Sequence, residues 1–360
     1  MSELRLADPR FGEDAVEALR GVLASGHLSQ GPVVEEFERG VADFCGAAHA
    51  IATTSATTAI ELALAALGVD GEVLVADFTY PASGNAVVQR GGTPVLLDVD
   101  PATWCLDPDA LEAALTSSTQ AVIAVDVFGL PADYTRIEPL LAERGVPLIC
   151  DAACSLGGAI GERRTGTFGL MSCFSFHPRK SLTTGEGGMV LTEDAELAER
   201  MRLLRNHGGR RSGWKVEFVA NGFNYRMSDL QAALGVVQLP GFAATVEKRG
   251  TLAWKLTGLL AEVEGVTPQG VPAGFRHPYQ SFVVELDEGL DRDDTIERLR
   301  AAGVESTLGT YALHAEPAFQ GDCPRSRGAW QRTLALPLHQ RLEPHDMETV
   351  ADALREALSG

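Results

Sequence analysis

The chain has 360 residues, 45% hydrophobic and 22% charged, enough for roughly two domains whose cores need no disulfide or metal staple. Its formal net charge of -19 excludes general affinity for nucleic acid or anionic membranes, which require basic patches, but leaves small anionic ligands open to a local arginine. The six cysteines (Cys45, Cys105, Cys150, Cys154, Cys173, Cys323) form no C-x-x-C pair, no apolar run reaches about 18 residues, and no basic-plus-apolar leader opens the chain. The expectation is a cytoplasmic protein with reduced thiols, no metal site and no membrane segment.

Residues 1–50 predict two amphipathic helices near 13–24 and 32–45, split by the polar turn Ser25-Gly-His-Leu-Ser-Gln-Gly-Pro32. The Gly31-Pro32 pair suits a turn followed by the first turn of a helix. Over 51–67 the chain changes from a hydroxyl-rich stretch to a helical period, with Ile60, Leu64 and Leu67 on one face. Five hydroxyl residues (Thr53, Thr54, Ser55, Thr57, Thr58) crowd this helix entrance, where one would be enough for a cap. Free helix N–H groups, the positive end of the dipole and extra hydroxyls together make a candidate phosphate cradle.

Apolar strands follow at 73–76, 94–99, 121–125 and 147–150, separated by helical stretches at 83–90, 107–115 and 133–144. Continuous apolar strands joined by crossover helices predict a mostly parallel sheet covered on both faces. Ligands of such sheets gather at the carboxyl ends of the strands, where this chain carries Asp77-Phe-Thr-Tyr80, Asp126-Val-Phe-Gly129 and Asp151-Ala-Ala-Cys154. A carboxylate at a strand end more often caps the next turn, so a role for Asp151 needs a ligand argued separately.

Residues 172–190 hold a short apolar strand, then His177-Pro-Arg-Lys180, two threonines and a glycine cluster, then a second apolar run. Of four lysines (Lys180, Lys215, Lys248, Lys255), only Lys180 sits between strand-like segments in a Gly/Thr-rich turn. A lone turn lysine is usually a solvated charge, yet a partly desolvated amine becomes a nucleophile able to form a Schiff base. A helix is predicted over 193–206, a polar glycine-containing loop over 206–222, and a second helix over 224–239 entered through the Ser228/Gln231 capping box. Pro240-Gly241 is taken as the boundary between a large domain (1–240) and a smaller C-terminal α+β domain (241–360). The latter carries a long helix over 243–264, a strand at 281–286, a helix at 293–302 and a terminal helix at 344–358. Neither G-x-G-x-x-G nor G-x-x-x-x-G-K-[ST] occurs, which speaks against dinucleotide and P-loop sites.

A lysine for the imine, an aspartate for a protonated ring nitrogen and a hydroxyl-rich helix entrance for a phosphate are together the requirements of a pyridoxal phosphate site. At this point the chain resembles the DegT/StrS family of pyridoxal-phosphate-dependent sugar aminotransferases. The sharpest stretches are Ser175-Phe-His-Pro-Arg-Lys-Ser-Leu-Thr-Thr-Gly-Glu-Gly-Gly188 and Asn224-Tyr-Arg-Met-Ser-Asp-Leu-Gln-Ala-Ala-Leu-Gly235. Leu28–Glu38, Gly92–Asp98 and Leu334–His339 support them, so the likeness covers nearly the whole chain.

The resemblance implies a fold-type I, aspartate-aminotransferase-like α/β architecture, with a mostly parallel seven-stranded sheet in the large domain. It implies that Lys180 forms the Schiff base and shuttles the proton, and that Asp151 binds the pyridine nitrogen. Ser175, Thr57 and the Ala56 backbone would hold the phosphate, and Tyr80 would stack on the ring. Asn224 would reach the phosphate of a neighbouring subunit, which makes the protein a homodimer with shared sites. Ala56 replaces the family's usual glycine but keeps its N–H, and Cys154 stands where the family often has Gln or His beside the ring's 3'-oxygen.

The implied reaction moves an amino group, from L-glutamate, to a keto carbon of a nucleotide-linked deoxysugar. Family dehydratases carry histidine in place of the lysine, so Lys180 favours transamination. Polar loops are where such specificity varies, which makes Gln30, Tyr311 and His314 the candidate substrate contacts. Two alternatives stay open: a non-nucleotide ketone such as a keto-cyclitol, and a non-catalytic regulatory protein that only binds the cofactor.

Overall fold

A computed structural model describes residues 4–359. The seven strands of the large sheet, labelled in chain order, are β1 (His49–Thr53), β2 (Glu72–Ala76), β3 (Thr93–Leu97), β4 (Thr119–Val125), β5 (Leu148–Asp151), β6 (Met171–Ser175) and β7 (Gly188–Thr192). Their spatial order is β1-β7-β6-β5-β4-β2-β3. The pairs β6–β5, β5–β4, β4–β2 and β2–β3 are parallel, whereas β7 runs antiparallel to both of its neighbours. Six strands therefore point the same way and one is reversed. The fold is the expected α/β, fold-type I architecture, with a large mixed sheet and a smaller C-terminal helical and sheet unit.

Apart from the edge strand β3, the strands are buried almost throughout, as their apolar sequences require. One core face joins Ile60, Leu64, Val73, Ile123 and Val190 under the helix Ala56–Leu67. The opposite face joins Leu74, Val122, Leu141, Leu148 and Tyr134 under the helices Pro108–Ala114 and Tyr134–Arg144. The C-terminal unit is a four-stranded antiparallel sheet ordered Val266–Pro268, Phe282–Leu286, Thr333–Leu336, Thr307–Leu308. The helices Phe242–Leu260, Arg292–Ala301 and Pro344–Ser359 pack on it through Leu256, Leu299 and Leu354. A short pairing of Phe78–Thr79 with Tyr311–Ala312 ties it to the end of β2.

Two stretches depart from the expected elements. The hydroxyl-rich entrance is preceded by an edge strand, β1, that sequence periodicity did not single out, because its five residues give little pattern before the helix begins. The expected loop over 206–222 contains a two-stranded ladder, Gly209–Ser212 with Lys215–Phe218. Its residues are nearly all exposed, so no inward-facing apolar face announces it, and Gly213 (φ 60°) supplies the tight turn.

The helix Pro32–Cys45 has no cap of its own, since Gly31 precedes it. Asp229, 198 residues later, accepts from the Gly31 N–H at 2.8 Å and the Val34 N–H at 3.2 Å. A Cβ at Gly31 would lie 2.6 Å from the same carboxylate, so the glycine is what lets Asp229 approach. The same helix holds Glu38, which receives the Ala52 N–H at 2.8 Å and an Arg205 N–H at 2.5 Å. Arg205 also donates to the Ala52 carbonyl at 2.6 Å, so a buried ion pair satisfies backbone of the edge strand β1. Replacing Arg205 by Met leaves Glu38 uncompensated and should cost about 3–5 kcal/mol, read as a lower urea midpoint. Adding Glu38→Gln should recover part of that loss; an additive further loss would refute the pairing.

Candidate active site

Parallel direction places the carboxyl ends of β1, β2, β4, β5 and β6 along one edge of the sheet, and the residues there are the ones the site requires. At the end of β1, Ser55 caps the helix Ala56–Leu67: its hydroxyl accepts the Thr58 N–H at 3.2 Å, and the Thr58 hydroxyl accepts the Ser55 N–H at 3.0 Å. The Ser55 carbonyl accepts the Ala59 N–H at 3.0 Å. That leaves the Ala56 and Thr57 amides at the positive end of the helix for an anion. Gly188 pairs with Thr53 on one side and Ser175 on the other, so Ser175 is one strand removed from that helix end. A Cβ at Gly188 would stand 2.2 Å from the Ser55 carbonyl oxygen; only glycine permits this approach.

Asp151 ends β5 and is 5% exposed. Ser83, wholly buried in the helix Ala82–Gln89, donates to it at 2.6 Å, and the Ala153 N–H donates at 3.2 Å. Burial pushes the Asp151 carboxyl up, opposed first by the Ser83 and Ala153 hydrogen bonds and then by the charge of Lys180. Lys180 is therefore near enough to Asp151 for its charge to act on that carboxyl. Among the described residues no cationic side chain makes an ion pair with Asp151, which leaves a buried carboxylate open to a cationic ligand group. Sequence reasoning missed Ser83; its one signal is a serine in the first turn after Asp77-Phe-Thr-Tyr80.

Lys180 lies in the loop between β6 and β7, closed by Phe176 N–H to the Gly187 carbonyl (2.8 Å) and Thr184 N–H to the Phe176 carbonyl (3.0 Å). Gln280, from the C-terminal unit, grips this loop on both sides of the lysine. Its carbonyl oxygen accepts the Ser181 N–H at 2.9 Å and its amide donates to the Arg179 carbonyl at 2.7 Å. The buried Arg249 in turn donates to the backbone carbonyls of Gln280 and Tyr279, each at 2.9 Å. The Lys180 Nζ lies 2.9 Å from the Cys154 Sγ. Gln280 and Arg249 also escaped the sequence reading, since their partners are more than 30 residues away or on another unit.

The remaining candidates divide. Tyr80, 68% exposed, meets Tyr311 edge-on with ring centres 6.3 Å apart, so these two rings stand together at the rim. Asn224 is exposed and bridges to Asn206 in the backbone, facing away from the core. The expectation of His314 as a substrate contact needs correction. Its side chain is fully buried, with Nδ1 2.7 Å from one Asp77 oxygen and its backbone N–H donating to the other at 2.8 Å. It fastens the C-terminal unit to the end of β2 instead of facing a ligand. Asp77, His314 and Cys323 lie within 4.8 Å of one another, but both Asp77 oxygens are engaged and burial pushes the Cys323 thiol up. Gln30 lines a cavity with Glu38, Arg39, His49 and Arg205, away from the lysine loop, and its buried Oε1 has no partner.

The donors fit pyridoxal phosphate on their own chemistry. They comprise an amine, a buried carboxylate with no cation paired to it, and a helix entrance with two uncommitted amides. The neighbouring Asp126 behaves differently. Its carboxylate accepts from Ser155 Oγ at 2.5 Å, Tyr134 OH at 2.6 Å and the Ala132 N–H at 2.9 Å, and burial pushes it up to about 7. A carboxyl raised on folding stabilises the fold most below its unfolded pKa of about 4, and that contribution is lost as pH rises through the folded value. The stability of the wild type relative to Asp126→Asn should therefore fall by a few kcal/mol between pH 4.5 and pH 8. Paired urea midpoints measure it, and a pH-independent difference would refute it.

Comparison with known proteins agrees with this geometry. Residues 9–355 match the model of the DegT/DnrJ/EryC1/StrS aminotransferase family. The GDP-perosamine synthase of Caulobacter vibrioides is 38% identical over 341 residues, 92% of this chain and 91% of that protein. The aminotransferase TlmJ from Streptoalloteichus hindustanus superposes with a TM-score of 0.94 at 35% identity, covering 99% of both chains. DesI, solved in the presence of its TDP-sugar product, gives a TM-score of 0.92 at 34% identity over 100% of this chain and 94% of that one. The chain thus belongs to the DegT/DnrJ/EryC1/StrS aminotransferase family and is a pyridoxal-phosphate-dependent enzyme.

Proposed function

We propose that this enzyme transfers an amino group from L-glutamate to a keto carbon of a nucleotide-linked deoxysugar, with residues 1–240 holding the cofactor and 241–360 forming the smaller domain. The observation that carries the chemistry is a buried carboxylate, Asp151, that has no cationic side chain paired to it and lies within reach of the Lys180 charge. Support for the acceptor comes from the relatives: one is named for a GDP-linked sugar product and another was solved with its TDP-sugar product.

The cofactor, when bound, supplies an electron-accepting ring. The rest falls to the chain. Ala56 and Thr57 amides, with the Ser175 hydroxyl, would bind its phosphate at the helix end; their dipole and hydrogen bonds need no cationic side chain. Asp151 would hold a proton on the ring nitrogen. A charged ring nitrogen favours the ionised carboxylate, against the upward push of burial. Ser83 orients that carboxylate from behind. Lys180 would bind the cofactor covalently and carry the proton between the donor carbon and the sugar carbon, its position set by Gln280. Tyr80 at the rim would cover the ring and exclude water from that face.

Purified protein should absorb visibly, lose the band on adding L-glutamate and release 2-oxoglutarate when a nucleotide keto sugar follows. Lys180→Ala should lose the band and cut turnover by about 10⁴-fold, the upper range for removing an acid–base group. A colourless wild type, even after soaking in cofactor, would overturn the assignment.

Asn224, exposed on this chain, would complete the phosphate site of a second copy, making the enzyme a homodimer. Mixing inactive Lys180→Ala with Asn224→Ala chains should then restore activity above that of either alone. At equal amounts the ceiling is roughly a quarter of wild type, because half the dimers are mixed and each has one intact site. No gain after subunit exchange would place Asn224 in its own chain's site or outside any site.

A further inference from the structure

Cys154 differs from the other five cysteines. Cys45, Cys105, Cys150, Cys173 and Cys323 are buried, and burial pushes every one of these thiols up, Cys45 to about 12. A thiol held protonated in an apolar core is inert. Cys154 is only half-buried, and its Sγ is 2.9 Å from the Lys180 Nζ. The contact is built in from both sides. Gly129, at φ 114°, brings its backbone so close that a Cβ would lie 2.9 Å from the Cys154 carbonyl oxygen and 3.2 Å from the Gln280 nitrogen. Gln280 is the residue that clamps the backbone on both sides of Lys180. Beyond its place beside the cofactor ring, transamination as described assigns the thiol no chemical step, yet the fold holds it against the amine given the chemistry.

We propose that Cys154 and Lys180 are a peroxide-sensitive pair, joined covalently on oxidation and parted again by thiols. The Cys154 sulfur attacks one oxygen of hydrogen peroxide; the O–O bond breaks, sulfur gains a hydroxyl and water leaves. The Lys180 nitrogen lone pair then attacks that sulfur, the S–O bond breaks, and the hydroxyl departs as water with a proton from nitrogen. The sum is Lys–NH2 + HS–Cys + H2O2 → Lys–NH–S–Cys + 2 H2O: sulfur is oxidised and peroxide reduced. One external thiol attacks sulfur and expels the amine, leaving a mixed disulfide with Cys154, and a second thiol resolves it, freeing the Cys154 thiol and ending in an external disulfide. Neighbouring nitrogen trapping a sulfenic acid is known chemistry; here the nitrogen is already in place. Forming the S–N bond needs a free amine, so cofactor bound covalently to Lys180 prevents the cross-link. The enzyme is vulnerable whenever the lysine is released.

The loss of activity rests on the role given to Lys180, whereas the bond itself rests only on the geometry. Enzyme loaded with pyridoxamine phosphate, which leaves Lys180 free, is treated with hydrogen peroxide beside enzyme loaded with pyridoxal phosphate. Non-reducing peptide mapping of the first should show segments 154 and 180 linked at about 2 Da below their summed mass, with tryptic cleavage after Lys180 lost. The pyridoxal-loaded sample should show several-fold less, and dithiothreitol should restore both peptides and activity. Cys154→Ser should form no link and lose no activity relative to its own untreated sample. Accumulation of sulfinic acid at Cys154 with Lys180 unmodified would overturn the proposal, as would equal peroxide sensitivity in Cys154→Ser. If the link forms but untreated enzyme never responds to any amino donor, the cross-link stands and the catalytic reading falls.

Discussion

The site depends on one reversed strand. Six strands share a direction, so Ser55, Asp151 and Ser175 arrive at one edge of the sheet by topology alone. The lysine does not come with them. Had the strand after it also been parallel, the connection would need a crossover of a dozen or more residues and would carry the chain away over a sheet face. Reversing β7 allows a closed loop that keeps Lys180 at the edge where β6 ends. The reversal also inserts a strand between Ser175 and the helix entrance at Ser55, and that strand begins with Gly188. Any side chain at that position would strike the Ser55 carbonyl and push aside the helix entrance with its uncommitted amides.

Three aspartates stand at ends of strands along the same edge, and each is neutralised differently. Asp77 is held by His314 through two hydrogen bonds and serves to fasten the C-terminal unit. Asp126 is surrounded by neutral donors, Ser155, Tyr134 and the Ala132 amide, and burial pushes it up towards neutrality. Asp151 receives one hydroxyl and one amide and retains capacity for a cation. Of the three, only this arrangement suits a ligand, because a buried carboxylate is costly unless something positive meets it. The net charge of -19 does not conflict with phosphate binding for a similar reason: a helix end attracts the anion locally without changing the overall sign.

Much of this was legible in the sequence because it rests on local pattern. The helix entrance at Ser55, the strand ends at Asp126 and Asp151, and the capping box at Ser228 and Gln231 each announce themselves within a few residues. The exposed ladder over Gly209–Phe218 did not, since strand pairing without a buried face leaves no apolar alternation to read. His314 was misjudged for a related reason: a polar residue in a loop reads as a surface contact, and its burial comes from Asp77, 237 residues away. Gln280, Arg249 and Ser83 were invisible because each acts through hydrogen bonds to residues distant in sequence, and a single amide, guanidinium or hydroxyl in sequence has no period.

Those long-range contacts make Lys180 answer to both units of the chain. Its loop is anchored to the large sheet through Phe176, yet the backbone atoms flanking it are held by Gln280 from the C-terminal unit. Gln280 itself is held through its carbonyl by Arg249, which is buried in the helix Phe242–Leu260 and whose burial lowers its pKa to about 10. Burying a guanidinium costs free energy that its carbonyl contacts must offset, so the contacts to Tyr279 and Gln280 resist being broken. A shift of the small unit against the large one would therefore be felt at the lysine loop. In the proposed reaction this amine carries the proton, and it is also the group whose footing is divided between the two units.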